Sequence, residues 1–385
     1  MDVPVSISLQ ELGFQVDPDS VVIYELVNNK EEVIPTQVES GYTPKLWFIL
    51  NGTMKKGSKR IFIVKIKETE PTVRGDYGFN ISKEYDDLVI QYQDRTVLKY
   101  RYTPMTPPKG ANPLYTRSGF IHPLCSPGGE ILTRIQAPDH YHHYGIWGPW
   151  TLTHIGDREV DFWNLAKGEG TVEFGSFLSE ESGKVYTGFK VLQQHIDFGV
   201  KGEDQVAINE ILDVRVWNIN EKARVIDYTT ILNSPLQDGI LLDAYRYGGG
   251  IGFRATEKWT KENSSVLTSE GKTRKDADGS NARWCIVEGE SEVEEGRSGI
   301  LFLSHPLNRA HPEPMRVWPL DANKGRGDMF FEFTPIRHKP WVLQKGNSYV
   351  LKYRMIVFDG EIDHETAEKY WNSFALTPEI KIHSK

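Results

Sequence analysis

Two neighbouring runs, 206–217 and 223–232, constrain the fold of this chain more than any other feature. Each reads as a long β-strand, and Asn218-Ile219-Asn220-Glu221-Lys222 between them supplies a turn, so the pair reads as a hairpin. Shorter strand patterns recur at 88–92, 97–102, 171–174, 299–303 and 349–358. Helical patterns are almost absent. The best lies at 363–374, where Asp363 can cap the start and Ala367, Tyr370, Trp371 and Phe374 fall on one face. Many strands with turn signals and almost no crossover helices indicate an all-β, antiparallel sandwich architecture.

The N-terminal stretch reads as a smaller unit of the same kind. Residues 3–9 alternate apolar and polar, 21–26 and 45–50 are short apolar runs, and 60–66 closes the series. Asp17-Pro18 and Asn51-Gly52 supply turns, and Glu68-Thr69-Glu70-Pro71-Thr72 reads as a polar linker. The expected organisation is a small N-terminal β-sandwich over 1–70, with no visible chemistry, and a large β domain over 71–385 that carries the site.

Composition excludes some functions. The net charge of −8 argues against a nucleic-acid partner, because phosphate binding needs a basic face. No apolar run reaches the roughly 20 residues of a membrane-spanning helix. The two cysteines, Cys125 and Cys285, read as buried thiols rather than a disulfide. Neither a basic nor an apolar leader follows Met1-Asp2, so the expectation is a cytosolic chain or one whose leader lies outside this sequence.

Chemistry concentrates in 118–164. Asp139-His140-Tyr141-His142-His143-Tyr144-Gly145-Ile146-Trp147 is the densest histidine stretch in a chain that has 11 histidines, and His122 lies shortly upstream. Imidazole is the side chain that serves as acid, base or metal ligand near neutral pH. If 139–144 is extended, His140, His142 and Tyr144 share one face, and Asp139, Tyr141 and His143 the other. A His-x-His pair on a strand can chelate a transition metal, given a third ligand such as His143 in a distorted segment, His122 or a distant carboxylate. Alternatively, the imidazoles shuttle protons and bind hydroxyls in a sugar site, or simply pack under loops.

Aromatic residues surround the cluster, among them Phe120, Tyr141, Tyr144, Trp147, Trp150, Phe162 and Trp163. A sugar ring stacks its C–H faces on flat apolar rings while its hydroxyls take polar partners, and Trp147 is the leading stacking candidate. The glycine-dense stretch 243–254 lacks a dinucleotide fingerprint, and its glycines imply a bulge or a close backbone approach to a ligand. Tyr247 and Arg254 are the ligand contacts it offers. His305 is expected to reach the same pocket, and Arg283 would suit a carboxylated sugar through a bidentate pair. Loops 103–118 and 268–283 are long enough to be functional.

Several motifs together resemble a bacterial family whose members often carry the label methane oxygenase PmoA. They are Arg117-Ser118-Gly119-Phe120-Ile121-His122-Pro123-Leu124, Ser126-Pro127-Gly128-Gly129-Glu130-Ile131-Leu132-Thr133, the histidine stretch, Asp161-Phe162-Trp163-Asn164, Tyr247-Gly248-Gly249 and His305-Pro306-Leu307-Asn308. The resemblance runs over about 80–385. The family's central motif reads Asp-His-Pro-His-His-Arg-Gly; here Tyr141 replaces the proline and Tyr144 the arginine, so no role of that arginine carries over. The oxygenase label does not fit, since a methane monooxygenase subunit is an integral membrane protein. The family looks like the β-supersandwich group of galactose mutarotase and polysaccharide-processing enzymes. The resemblance therefore implies that fold, a carbohydrate ligand and a periplasmic or secreted location.

The reading taken forward is a carbohydrate-active enzyme using histidine and tyrosine acid–base chemistry, as a lyase, epimerase or hydrolase. The expected catalytic residues are His140, His142, His143 and His122. Trp147, Tyr141, Tyr144, Tyr247, Arg254, Arg283 and His305 are expected to bind substrate. No convincing pair of carboxylates supports classical glycoside hydrolysis. The cofactor expectation is none, with a divalent transition metal at His140 and His142 as its alternative. A sugar-binding protein without turnover is the alternative from another class.

Overall fold

The computed structural model describes residues 1–13, 20–55, 57–66, 78–200, 202–219 and 222–383. The chain is nearly all β, as the recurring strand patterns predict. The Asp17-Pro18 turn, the 68–72 linker, and Asn220 and Glu221 of the hairpin turn lie outside the described residues.

Two three-stranded antiparallel sheets make the N-terminal sandwich. One pairs Val3–Ser8, Lys45–Leu50 and Thr36–Glu39; the other pairs Lys30–Ile34, Val21–Val27 and Phe62–Ile66. Their inner faces bury Val5, Ile7, Ile23, Leu46, Phe48 and Leu50. The strands at 30–34 and 36–39 escape the sequence reading because the first is highly charged and the second has only one apolar residue.

A larger sandwich follows. The expected hairpin is present as Gln205–Trp217 paired with Ala223–Asn233, at the centre of an eight-stranded sheet. The 171–174 strand runs far longer than expected, over Gly170–Ser182, and pairs with Tyr186–Asp197, a strand the sequence reading misses. A nine-stranded sheet faces this one, and a continuous apolar core fills the space between them. Cys125 and Cys285 are buried and free. The helix at His364–Ala375 starts at the predicted cap, where Asp363 Oδ1 accepts from the Thr366 amide at 2.7 Å. Its Ala367 and Phe374 pack on the outer face of the eight-stranded sheet. Among the described residues, no helix is long and apolar enough to cross a membrane.

The N-terminal sandwich docks on the long strands of the larger one. Gln37 Oε1 accepts from the amides of Val185 and Tyr186, at 3.1 and 3.0 Å. The Trp47 ring packs against Trp217, with centroids 5.2 Å apart, and Trp47 Nε1 donates to Glu39 at 2.7 Å. Glu39 also accepts from both terminal nitrogens of Arg215, at 3.0 and 2.9 Å, and from Lys190. Burial alone would raise the Glu39 pKa, but the hydrogen bonds and charges of Arg215 and Lys190 outweigh it and hold the carboxyl at about 2.

A carboxylate with a depressed folded pKa contributes its stability in full above its unfolded value, here 4.5, and loses it as pH falls toward about 2. Glu39→Gln should therefore cost about 2–3 kcal/mol in urea unfolding at pH 7. The gap to wild type should narrow steadily between pH 4.5 and pH 2.

Candidate functional site

The histidines sit on a short hairpin in which Ile135–Ala137 pairs with His140–Tyr144. Its register breaks: Ala137 opposes His140, but Ile135 opposes Tyr144, so extra residues bulge out on the histidine side. Gln136 takes a positive φ of 45° in the opposing strand. This irregularity overturns the simple alternation expected of an extended 139–144. His143 turns to the same side as His140 and His142, and one ring nitrogen from each of the three lies within 4.8 Å of the others. Ring centroids are 5.4 Å apart for His140–His142 and 4.8 Å for each of the other two pairs. Gly145 ends the strand with φ +69°, and a Cβ there would come within 2.3 Å of the Ile121 carbonyl, so glycine is required.

Beneath the imidazoles lies a floor of buried rings. Trp163 stacks on His143 at 5.5 Å and 27°, and Trp318, Trp147 and Phe330 complete the floor. The Asp161-Phe162-Trp163-Asn164 motif explains the placement of Trp163. Buried Asp161 accepts from the amides of Trp163 and Asn164, at 2.9 and 2.8 Å, which fixes the turn. Trp163 Nε1 then donates to the His142 carbonyl at 2.8 Å.

Charge enters through Asp139, Arg254 and Asp328. His140 Nδ1 lies 2.7 Å from Asp139 Oδ2. Arg254 Nη2 donates to Asp139 at 3.0 Å and to Asp328 at 2.6 Å, and its guanidinium lies over the Trp318 ring. Burial opposes ionisation of Asp139, but the His140 hydrogen bond and the Arg254 charge win and keep its carboxyl well below the usual range. Burial lowers His142 to about 4 and His143 well below its ordinary value, helped by the charges of the neighbouring imidazoles and Arg254. Both shifts favour the neutral form of these two rings, which offers a lone pair.

Other expected site residues are placed differently. Trp147 and Tyr144 are 1 % and 0 % exposed, so neither can stack on a ligand. Tyr144 instead packs on Phe120 and donates its hydroxyl to the Tyr115 carbonyl. Arg254 is 1 % exposed and pairs with Asp139 instead of facing solvent. The Tyr247 hydroxyl accepts from Arg316 and Trp318, at 3.0 and 3.1 Å, and so braces the floor. The close approach inferred from the glycine-dense stretch is to protein, since a Cβ on Gly249 would lie 2.0 Å from the Phe333 carbonyl.

His122, Arg283 and His305 are not part of the trio. His122 hydrogen-bonds Thr133 and lines a separate open groove of about 520 Å³ with Glu130, Arg134, Glu257 and Lys258. Arg283 pairs with Glu368 of the C-terminal helix, and His305 packs on Phe374 of the same helix. The sequence reading missed Asp328 and Trp318 as partners and left Asp139 without a role. Asp139 was legible as the carboxylate next to the first histidine, whereas Asp328 and Trp318 carry no local signal.

Partly exposed aromatic surface does lie near the trio. Tyr141 contacts Tyr115 from the proline-rich loop at 5.4 Å, and Tyr247 contacts both Trp163 and Tyr245. Tyr245 is 37 % exposed.

A family of unknown function (DUF6807) matches residues 87–372. The chain belongs to that family. The matched span contains the trio, its aromatic floor and Arg254. No curated protein matches the chain. Among solved structures, the heparan sulfate lyase HepC from Pedobacter heparinus is similar over 75 % of this chain and 36 % of its own length, at 10 % identity and a TM-score of 0.32. A heparinase III, the BT4657 gene product, is similar over 76 % of this chain and 36 % of its own, at 8 % identity and a TM-score of 0.28. The chain thus spans less than two fifths of these structures, and likenesses this distant do not bear on function.

The buried position of Trp147 makes a direct prediction. Trp147→Ala should lower stability by roughly 3–5 kcal/mol in urea unfolding, the usual cost of an emptied aromatic site.

Proposed function

We propose that this chain is a carbohydrate-active enzyme whose reactive centre is the trio of His140, His142 and His143. The observation that carries the reading is the half-buried pair His140 and His142, backed by buried rings, with partly exposed Tyr141 between them in the chain and Tyr247 against Trp163 of the floor. Sugar rings need such a surface: flat apolar area for their C–H faces beside a few fixed polar atoms. Tyr141, Tyr115 and Tyr245 take over the stacking role that the sequence assigned to Trp147. The resemblance of the histidine, Asp161–Asn164 and Tyr247–Gly249 motifs to the PmoA-type family supports a carbohydrate ligand, because these motifs build the trio and its floor.

Imidazoles placed beside a sugar can take a proton from its carbon or hydroxyl, as elimination and epimerisation require. Burial lowers His142 and His143 and so favours their proton-accepting form. The carboxylates described beside the trio, Asp139 and Asp328, are both taken up by Arg254, which favours lyase or epimerase chemistry over classical hydrolysis.

The test is a turnover and binding screen on oligo- and polysaccharides, followed by single variants. His140→Ala should keep its melting temperature within a few degrees of wild type, while turnover falls by at least about 10²-fold. Tyr141→Ala should weaken sugar binding by roughly 3–10-fold, the range of one aromatic contact. A His140→Ala enzyme that turns over like wild type would remove the trio from the reaction. Binding without turnover of any sugar would leave a carbohydrate-binding protein.

A further inference from the structure

We propose that His140, His142 and His143 together bind one divalent transition-metal ion, with zinc the best match to the ligand set. The proposal takes the same three residues as the functional reading but replaces their proton-transfer role with metal ligation, and its grounds hold whatever the substrate is.

Convergence is the first ground. One ring nitrogen from each histidine lies within 4.8 Å of the other two. Three nitrogens at about 2.0–2.1 Å from a tetrahedral ion stand about 3.4 Å apart, so closure asks each ring for less than about 1 Å of movement. The hairpin bulge makes this convergence possible, because regular alternation would send His143 to the opposite face.

Orientation is the second. Asp139 takes the His140 Nδ1–H at 2.7 Å, which fixes the ring and leaves the Nε2 lone pair free. A carboxylate behind a ligating imidazole is the common outer partner of such sites. Arg254 pairs with Asp139 and Asp328, so two carboxylates counter its charge beside the trio.

A third, independent ground is His143 itself. It is 1 % exposed, and its Nδ1 is buried without a hydrogen-bond partner. Buried polar nitrogens are normally satisfied, so an orphaned Nδ1 in a ring that converges with two other imidazoles calls for a partner. A metal ion bound at that nitrogen would supply it.

The ligand set selects the ion. Three imidazoles suit zinc, cobalt, nickel, copper or iron, whereas calcium and magnesium require oxygen donors. His140 and His142 are only half-buried, so a fourth position would face solvent. Three protein ligands with one open position characterise a catalytic centre, not a structural one. Ligation would reassign the trio from proton transfer to holding a Lewis acid, so the two roles exclude each other at any one ring.

The test uses untagged full-length protein, stripped with a chelator and dialysed. Zn²⁺ is titrated in by calorimetry, and Co²⁺ is followed by its visible absorption bands. One equivalent of Zn²⁺ per chain is expected, with cobalt bands typical of nitrogen ligands. His140→Ala and His143→Ala should each weaken Zn²⁺ binding by at least about 10²-fold, and Asp139→Asn by roughly 10–100-fold. His122→Ala, which changes the separate groove, should bind as wild type does. His143→Ala removes a buried group and could misfold, so the half-exposed His140→Ala, checked by near-UV circular dichroism, decides the matter alone if needed. Failure of folded wild-type protein to bind Zn²⁺ or Co²⁺, or wild-type binding by folded His140→Ala, overturns the proposal. Sugar turnover that survives complete metal removal would also overturn a catalytic metal while leaving the carbohydrate reading intact. Stoichiometric zinc in a protein that binds no sugar would do the reverse.

Discussion

The site depends on one buried cation. Arg254 ends the strand Ile251–Arg254 in the nine-stranded sheet and reaches two carboxylates from different parts of the chain. Asp139 belongs to the histidine hairpin, and Asp328 precedes the strand Phe330–Phe333. The Arg254 amide also donates to the Gly145 carbonyl, and the Arg254 carbonyl accepts from Arg134, so backbone and side chain together clamp the hairpin to the sheet. A buried guanidinium is expensive unless its charge is matched, and the two carboxylates match it here. Asp139 in turn holds His140, so the orientation of the outermost imidazole rests on this pairing.

Around that clamp the structure is built from rings. Trp163, Trp318, Trp147 and Phe330 form a floor that stops the imidazoles from sinking into the core, and Tyr247 ties Trp318 to Arg316. Loop 268–283 supports the same region from below. Its buried Arg274 donates to the carbonyls of Trp318, Gly327 and Asp328. Loop 103–118 contributes Tyr115, whose ring meets Tyr141 and whose carbonyl takes the Tyr144 hydroxyl. Both loops carry little regular structure, a 3-10 turn at Pro113–Tyr115 and a short strand at Asn281–Ala282, and both brace the histidine hairpin or its floor.

The site combines rigidity with unmet bonding capacity. Burial and neighbouring positive charge lower the pKa of His142 and His143. Imidazoles converging on one point, with His143 Nδ1 buried and unsatisfied, offer capacity for a proton or a metal ion. The tyrosines nearby offer the kind of surface a sugar occupies. A carbohydrate-active centre and a metal centre are compatible as descriptions of the place, and they differ in what the imidazoles do there.

The sequence by itself determined the all-β class, the central hairpin, the strand runs of the N-terminal sheets, the capped C-terminal helix and the histidine cluster on which the proposed site rests. These are written in local patterns: strand runs between turn formers, an acidic cap before an amphipathic face, and a cluster of histidines too dense for a core. Tertiary structure alone decided which residues meet. A bulge sets the side on which His143 lies, and it depends on pairing with residues 135–137, so no rule of alternation can foresee it. Arg283 and His305 go to the C-terminal helix, and His122 to another groove, because strand order in the sheets separates what the sequence places near a common motif. Trp147, Tyr144 and Arg254 are the right residue types for a sugar site. Burial, which is a property of the packed sandwich and not of any segment, makes them supports of the histidine hairpin and its aromatic floor.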